Sequence, residues 1–337
     1  MYNDKYLVSL GGQDDGSVVV WDLETKDSIC GAPAAVASAG NAMVVEWAKT
    51  NDIQFVTAGD LTIRVWTLDK ANRKIRPVEC QLAQIKRCIN CVEISPDDTY
   101  FYCGTTSGDI LKINMQTCKL IVCGPEKKED KFTRGVTAIK GLTNGNLIVA
   151  NGAGSVALVK STNAKKYQRI KVFNVDTKKC GSCSITSVAL RCDGHEVYVG
   201  TTQSEIYKLS LCGNGTGENM KWESPNPLVS CHHNKVYDIA FYQGNSSQMG
   251  TSDLFATCGA EDIRIWDAKR YRELRRIRKD NLICHAIEFT PDGHSILSAW
   301  NDNKIRAFGP ISGREMYCIN NAHNLGVTHG FYNSESF

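Results

Sequence analysis

The sequence predicts an all-β chain assembled from repeated four-stranded antiparallel sheets, and three observations predict it. An apolar strand-like run, a turn built on Gly or Asp, a second short strand and a polar loop recur about every forty to fifty residues. The clearest copies are Asp15-Gly16-Ser17-Val18-Val19-Val20-Trp21-Asp22, Asp60-Leu61-Thr62-Ile63-Arg64-Val65-Trp66-Thr67 and Glu261-Asp262-Ile263-Arg264-Ile265-Trp266-Asp267, each with an acid, alternating residues and then tryptophan. The alternation has period two, which on a pleated strand sends neighbouring side chains to opposite faces. A sheet with two apolar faces cannot hide them alone, so neighbouring repeats must cover one another.

That combination is the pattern of WD40 β-propeller blades, and the length suits about seven of them, with the first and last incomplete. With strands denoted a to d from the channel outward, the first blade begins at strand b: 6–10, 17–22 and 28–34, with strand a missing. The second comprises 43–48, 54–58, 62–67 and 76–82. The third comprises 90–95, 100–105, 110–114 and 119–123, with the hairpin turn Ser107-Gly108-Asp109. The fourth, 136–141, 147–151, 155–160 and 167–173, is the most degenerate and turns on Gly152-Ala153-Gly154. A phosphate-binding reading of those glycines fails because a strand, not a helix, follows. The fifth is 184–190, 196–200, 205–209 and a fourth strand after the Gly- and Asn-bearing loop 212–220, expected to be exposed and mobile. The sixth is 236–242, 254–258, 262–266 and 273–277, and the seventh 286–289, 295–299, 304–308 and 315–319. Residues 327–331 alternate like one more strand a, able to complete the first blade and close a single ring over 1–337.

Composition sets limits. The 337 residues are 42% hydrophobic, and 39 basic against 36 acidic side chains give a formal net charge of +3, too small to argue for nucleic acid as partner. The N-terminus lacks a basic segment followed by an apolar core, and no run of eighteen apolar residues occurs, so the expectation is neither secretion nor a membrane partner. Fifteen cysteines scattered through a large chain read as reduced thiols in strands. Cys88-Ile89-Asn90-Cys91 and Cys180-Gly181-Ser182-Cys183 have zinc-ligand spacing, but they fall in non-adjacent blades, and no metal or other cofactor is expected. Cys231-His232-His233 is discounted as a metal site because adjacent strand residues face opposite ways.

The acids Asp15, Asp60 and Asp302 each precede the aromatic of the next strand, Trp21, Trp66 or Phe308, by six positions. There a carboxylate orders the preceding loop by accepting its hydrogen bonds. Together with Trp21, Trp66 and Trp266, which fill inter-blade core, these acids are structural positions. Spread around a ring, they do not converge as catalytic groups must. His195 and His294 fall in turns, His329 lacks a readable acid and serine, and neither G-x-S-x-G nor H-E-x-x-H occurs, so no enzyme is expected. Lys269, Arg270, Arg272, Arg275, Arg276, Arg278 and Lys279 concentrate cations on the outer strand of the sixth blade. They make a candidate edge for an acidic partner, set against the plainer role of charges that deter strand pairing. The run Glu126-Lys127-Lys128-Glu129-Asp130-Lys131 reads as a solvated loop.

Three stretches narrow the resemblance: 6–21, 104–112 and Ser298-Ala299-Trp300-Asn301-Asp302-Asn303-Lys304-Ile305-Arg306-Ala307-Phe308, with Ile319-Asn320-Asn321-Ala322-His323 continuing it. In order and nearly throughout, the chain resembles the cilia- and flagella-associated protein 52 family, WD-repeat proteins of motile axonemes. The resemblance implies two consecutive seven-bladed propellers inside the ciliary doublet microtubule, a microtubule inner protein touching tubulin and neighbouring proteins and stabilising the wall. It implies a cytoskeletal location in the cilium or flagellum, and a layout in which 1–233 belong to a first propeller and 234–337 open a second. The family's first two blades, the inner strand of its third and most of the second propeller have no counterpart in this sequence, as in a fragment or short form. The competing expectation is a cytosolic WD40 adaptor, such as the substrate receptor of a ubiquitin ligase.

Overall fold

The computed structural model describes residues 5–12, 14–36, 38–161, 167–175, 183–191, 195–212, 219–222, 227–242, 254–270, 272–290, 292–324 and 326–327. Two compact units divide the chain, Met1–Ser230 and Cys231–Phe337.

Among the described residues the first unit holds five antiparallel sheets, each made of strands consecutive in sequence. The first has three: β1 (Tyr6–Leu10), β2 (Ser17–Asp22) and β3 (Ser28–Pro33). The second is β4 (Ala42–Trp47), β5 (Gln54–Gly59), β6 (Ile63–Asp69) and β7 (Lys74–Glu79). The third is β8 (Ile89–Ile94), β9 (Tyr100–Thr105), β10 (Ile110–Asn114) and β11 (Leu120–Gly124). The fourth is β12 (Val136–Gly141), β13 (Asn146–Asn151), β14 (Ser155–Ser161) and β15 (Tyr167–Asn174). The fifth is β16 (Ile185–Leu190), β17 (Glu196–Thr201), β18 (Glu205–Cys212) and β19 (Asn219–Trp222), with β20 (Val229–Ser230) paired to another stretch of β18. These are WD40-type blades, their strands paired in sequence order. At the predicted turn in the third sheet, Gly108 has φ 81°, and a Cβ there would lie 2.2 Å from the Phe132 carbonyl oxygen, so only glycine fits.

Period two divides the second, third and fourth sheets between two cores each. Val18 and Val20 of the first sheet pack with Phe55, Trp66 and Leu68 of the second. The alternate residues of that second sheet, Val56, Ile63 and Val65, turn away to join Ile89, Phe101 and Leu111 of the third. Tyr102 and Ile110 continue to Val149 and Ala157 of the fourth, whose Ile148 and Leu158 meet Val197 and Leu209 of the fifth. Each fully buried aliphatic or aromatic side chain contributes about 1.5–3 kcal/mol relative to exposure. That burial exists only when the next sheet is in place.

The second unit is one sheet of six strands in sequence order: β21 (His233–Phe241), β22 (Leu254–Asp267), β23 (Arg272–Phe289), β24 (Ile296–Trp300), β25 (Ile305–Phe308) and β26 (Glu315–Ile319). The sequence predicts separate strands 254–258 and 262–266, and again 273–277 and 286–289. In the structure each pair forms the two halves of one element, and the halves pair with different neighbours. Trp266 Nε1–H donates to Thr257 Oγ1 at 2.8 Å, whereas nine extended residues would span about 30 Å. The backbone therefore reverses within β22, where Glu261 has φ 68°. In β23, residues 272–278 pair with β22 and 284–289 with β24, and Ala260 pairs with Ile283 across the link between them. Residues 279–282 of that link have no partner in the ladder, and Asn281 has φ 61°, so the chain turns there as it does at Glu261.

Other boundaries shift by up to three residues. The expected loop 212–220 is shorter, because β18 extends to Cys212 and pairs with Asn219; residues 213–218 lie outside the described set. Of the final run 327–331, Val327 is described and is not in a strand. Its N–H donates to the Trp300 carbonyl at 2.9 Å, and residues 328–331 lie outside the described set.

Candidate functional site

The aromatic positions are anchored by hydroxyls on the preceding strand. Trp66 is fully buried, its Nε1–H donates to Thr57 Oγ1 at 2.8 Å, and its ring stacks on Phe55 at 5.7 Å. Trp21 donates to Ser9 Oγ at 2.8 Å. Trp266 stacks on Phe255 at 6.0 Å as Trp66 does on Phe55, and Thr257 stands in the place of Thr57.

In the second unit this anchor extends into a network that the sequence reading passes over. Thr257 Oγ1 also lies 2.6 Å from His232 Nε2, and His232 Nδ1 meets a carboxylate oxygen of Asp262. With the His232 proton on Nδ1, donors run in one direction from Trp266 through Thr257 and His232 to Asp262. The other Asp262 oxygen accepts from Arg264 Nε at 2.9 Å and Arg276 Nε at 2.8 Å. Arg264 is itself fully buried and donates to Glu273 at 2.7 Å and to the Cys231 carbonyl. Burial raises the Asp262 pKa, but His232, Arg264 and Arg276 outweigh it and hold the carboxyl below the ordinary aspartate value. The charged groups of this set face one another, and through the Cys231 carbonyl they also hold backbone.

The predicted turn acids behave differently from one another. Asp15 is exposed and accepts from Ser17 Oγ at 2.9 Å. Asp60 is exposed, and its contact with the preceding loop is through backbone: its N–H donates to the Asn41 carbonyl at 2.9 Å and its carbonyl accepts from Gly40. Asp302 accepts from Arg306 Nη1 at 2.9 Å, so its partner lies on the strand that follows and not in the loop before. That pair lowers the Asp302 pKa. Two buried acids absent from the expected set carry comparable roles. Asp109 accepts from Arg87 at 3.0 Å and Lys131 at 2.9 Å; burial raises its pKa, yet the bonds from Arg87, Thr105 and Lys131 bring the net value down. Lys131 is thereby tied into the fold instead of standing in a solvated loop. Glu93 holds Lys49 at 2.5 Å and Lys140 at 2.7 Å, linking the second, third and fourth sheets.

The basic edge is largely neutralised from within. Arg276 is committed to Asp262, Arg278 to Asp280 at 2.7 Å, Lys279 to Glu315 at 2.7 Å, and Arg275 donates to the Ile311 carbonyl at 3.0 Å. Arg270 pairs with Asp267 at 3.1 Å while its side chain stays 79% exposed, and Lys269 and Arg272 are exposed too. Among the described residues, no group of three or more His, Cys, Asp or Glu could hold a metal ion. Cys88 and Cys91 are free thiols, with burial pushing Cys91 up to about 12; Cys180 and His329 lie outside the described set. Among the described residues no helix is long and apolar enough to cross a membrane.

No protein-family model matches the chain. Curated proteins do match it. Human cilia- and flagella-associated protein 52 is 48% identical over 326 residues, covering 97% of this chain and 48% of the human protein. The Bos taurus protein of the same name is 47% identical over the same length, and that of Chlamydomonas reinhardtii 36% identical over 329 residues. The chain is homologous to cilia- and flagella-associated protein 52. It spans about half the length of the curated relatives it matches. Among solved structures, Saccharomyces cerevisiae Sqt1 aligns over 99% of this chain and 88% of its own at 14% identity, with a TM-score of 0.49. The match to cilia- and flagella-associated protein 52 covers 97% of the chain and so extends through both units.

Proposed function

We propose that the chain is a non-catalytic structural scaffold of motile cilia, a microtubule inner protein that binds tubulin and neighbouring proteins inside the doublet microtubule and stabilises its wall. The observation that carries this reading is the homology over 97% of the chain to proteins named for cilia and flagella in organisms as distant as human and Chlamydomonas reinhardtii. The chemistry supports it: the buried acids are consumed by internal cations, and the sheets interlock into units suited to presenting many small contacts at once. We assign residues 1–233 to one propeller and 234–337 to the start of another. Arg270 and Arg272, exposed on the outer edge of the second unit, are the cations available to an acidic surface such as that of tubulin.

The test is chemical cross-linking of isolated doublet microtubules carrying the tagged chain. Cross-links to residues on the luminal face of tubulin are expected. Cross-links confined to the outer face, or to no axonemal protein, refute the luminal role.

A further inference from the structure

Three buried cysteines, Cys80, Cys103 and Cys118, share the core between the second and third sheets, and the Cys80 and Cys118 thiols are hydrogen-bond partners of one another. Cys80 follows β7 and Cys118 stands between β10 and β11, so nothing local in the sequence brings them together. A backbone bridge does. Gln81 pairs parallel with Lys119: its N–H donates to the Cys118 carbonyl at 2.8 Å and its carbonyl accepts from the Leu120 N–H at 3.2 Å. Residues 80 and 118 stand one step before that pair on the two facing segments. Neighbouring strands lie about 4.8 Å apart, and a disulfide spans about 4.4–6.8 Å between α-carbons. Side chains opposite each other across a ladder share a face. Both thiols accordingly fall in one cluster with Ile63, Ile113 and Met115.

This pair also lies close to solvent. Cys80 is 8% and Cys118 4% exposed, whereas Cys258 and Cys284, which also touch, have no exposed surface, and neither has Cys103. The residues on either side, Glu79, Gln81, Thr117 and Lys119, are exposed, so the thiols sit one side chain below the surface. Burial raises both thiol pKa values, but the two are not equivalent. At Cys80 the neighbouring Cys118 and Glu79 reinforce the rise, while at Cys118 a hydrogen bond from the Cys80 S–H opposes it. Cys118 is therefore the thiol that ionises first, and the thiolate is the nucleophile.

We propose that Cys80 and Cys118 form a redox site at which a peroxide closes a disulfide, stapling the second sheet to the third. With hydrogen peroxide, the Cys118 thiolate attacks one oxygen; an S–O bond forms, the O–O bond breaks, and the departing hydroxide takes up the Cys118 proton as water. The Cys80 sulfur then attacks the sulfenic sulfur. The S–S bond forms, the S–O bond breaks, and the hydroxyl leaves with the Cys80 proton as a second water. The two thiols lose two electrons and two protons, and one peroxide is reduced to two waters. The closed loop contains β8, β9 and β10, so the third sheet can no longer part from the second beyond the reach of the bond.

The experiment treats the whole native chain with hydrogen peroxide, removes the oxidant, blocks remaining thiols with N-ethylmaleimide in urea and digests with trypsin without reductant. Residues 75–86, Ile-Arg-Pro-Val-Glu-Cys-Gln-Leu-Ala-Gln-Ile-Lys, and 113–119, Ile-Asn-Met-Gln-Thr-Cys-Lys, each carry one cysteine. They are expected as one linked species, lighter than their sum by two hydrogens and split by reductant, from a chain that stays monomeric on a non-reducing gel. In Cys80→Ser, dimedone is expected to trap a sulfenic acid on Cys118, and in Cys118→Ser to find none on Cys80. If either variant fails to fold, the peptide map of the unaltered chain decides. Amide exchange in β8, β9 and β10 is expected to be about thirtyfold slower or more in the oxidised chain than in the same sample after reduction. Separately alkylated peptides, a link from Cys80 to Cys103, or a link that forms only when peroxide is added in urea overturns the proposal. So does a link found only between chains, or exchange that oxidation leaves unchanged.

Discussion

Replacing Asp262 by Asn keeps the shape of the side chain and removes the charge on which three groups converge. Arg264 has no exposed side-chain surface and Arg276 has 19%, so both guanidinium groups depend on Asp262 for compensation that water cannot supply. Breaking a buried pair on one side costs about 3–5 kcal/mol. Glu273 still holds Arg264, and the amide oxygen still accepts one bond, which puts the expected loss at the lower end, about 3 kcal/mol. Native-state hydrogen exchange reads this locally: amides of Ile263 and Ile265 are expected to exchange about a hundredfold faster in Asp262→Asn. The sign with pH follows from the depressed carboxyl pKa. The contribution is fully present above the unfolded value of about 3.9 and is lost as pH falls through the lower folded value. The gap between the two proteins is therefore constant near neutrality and closes below about pH 4. A change under about tenfold in exchange, or a gap that persists into strong acid, refutes the assignment of Asp262 as the charge that organises the second unit.

Thr57→Val leaves the Trp66 indole N–H buried without an acceptor and is expected to cost about 1–3 kcal/mol by urea unfolding; a neutral effect means the 2.8 Å bond is incidental. Gly59→Ala places a methyl 2.0 Å from the Asn41 carbonyl oxygen and 2.6 Å from Ala42 Cα, so β4 must move, at about 1–3 kcal/mol. Gly12→Ala meets nothing within 4 Å and is the control, expected to stay within about 0.5 kcal/mol. Burial raises the thiol pKa of Cys91 to about 12 and holds that of Cys103 well above the ordinary thiol value, while Cys231 is exposed. Alkylation of the native chain at pH 8, followed by mass spectrometry, is therefore expected to label Cys231 well before Cys91 and Cys103; uniform labelling contradicts the packing of the third sheet.

Most strands were legible because two local signals coincide in this chain: period-two apolarity and turns rich in Gly, Asp and Asn. β1, β2, β9, β10, β12 and β26 have the ranges those signals dictate. In β22 and β23 the predicted pairs of strands are present as halves that pair with different neighbours, although the turns between them carry no glycine. There a positive φ at Glu261 and Asn281 does the work that glycine does elsewhere. The His232–Asp262 network was hidden for a related reason. The acid was sought six residues before the aromatic, as at Asp60, but Asp262 stands only four before Trp266. A usable signal existed in the hydroxyl nine residues before two of the tryptophans, Thr57 before Trp66 and Thr257 before Trp266. The basic run was plain in the sequence, but its counter-charges were not. Asp262, Asp280 and Glu315 become its partners only through strand pairing and local geometry.

Retention on the axoneme tests the central claim most directly. Detergent-extracted cilia carrying the tagged chain are washed in high salt, and the doublets and supernatant are compared by immunoblot. A scaffold held within the doublet wall stays with the doublets, because contacts enclosed there are screened little by added ions. Recovery of the chain in the salt wash, or its absence from cilia altogether, contradicts the account.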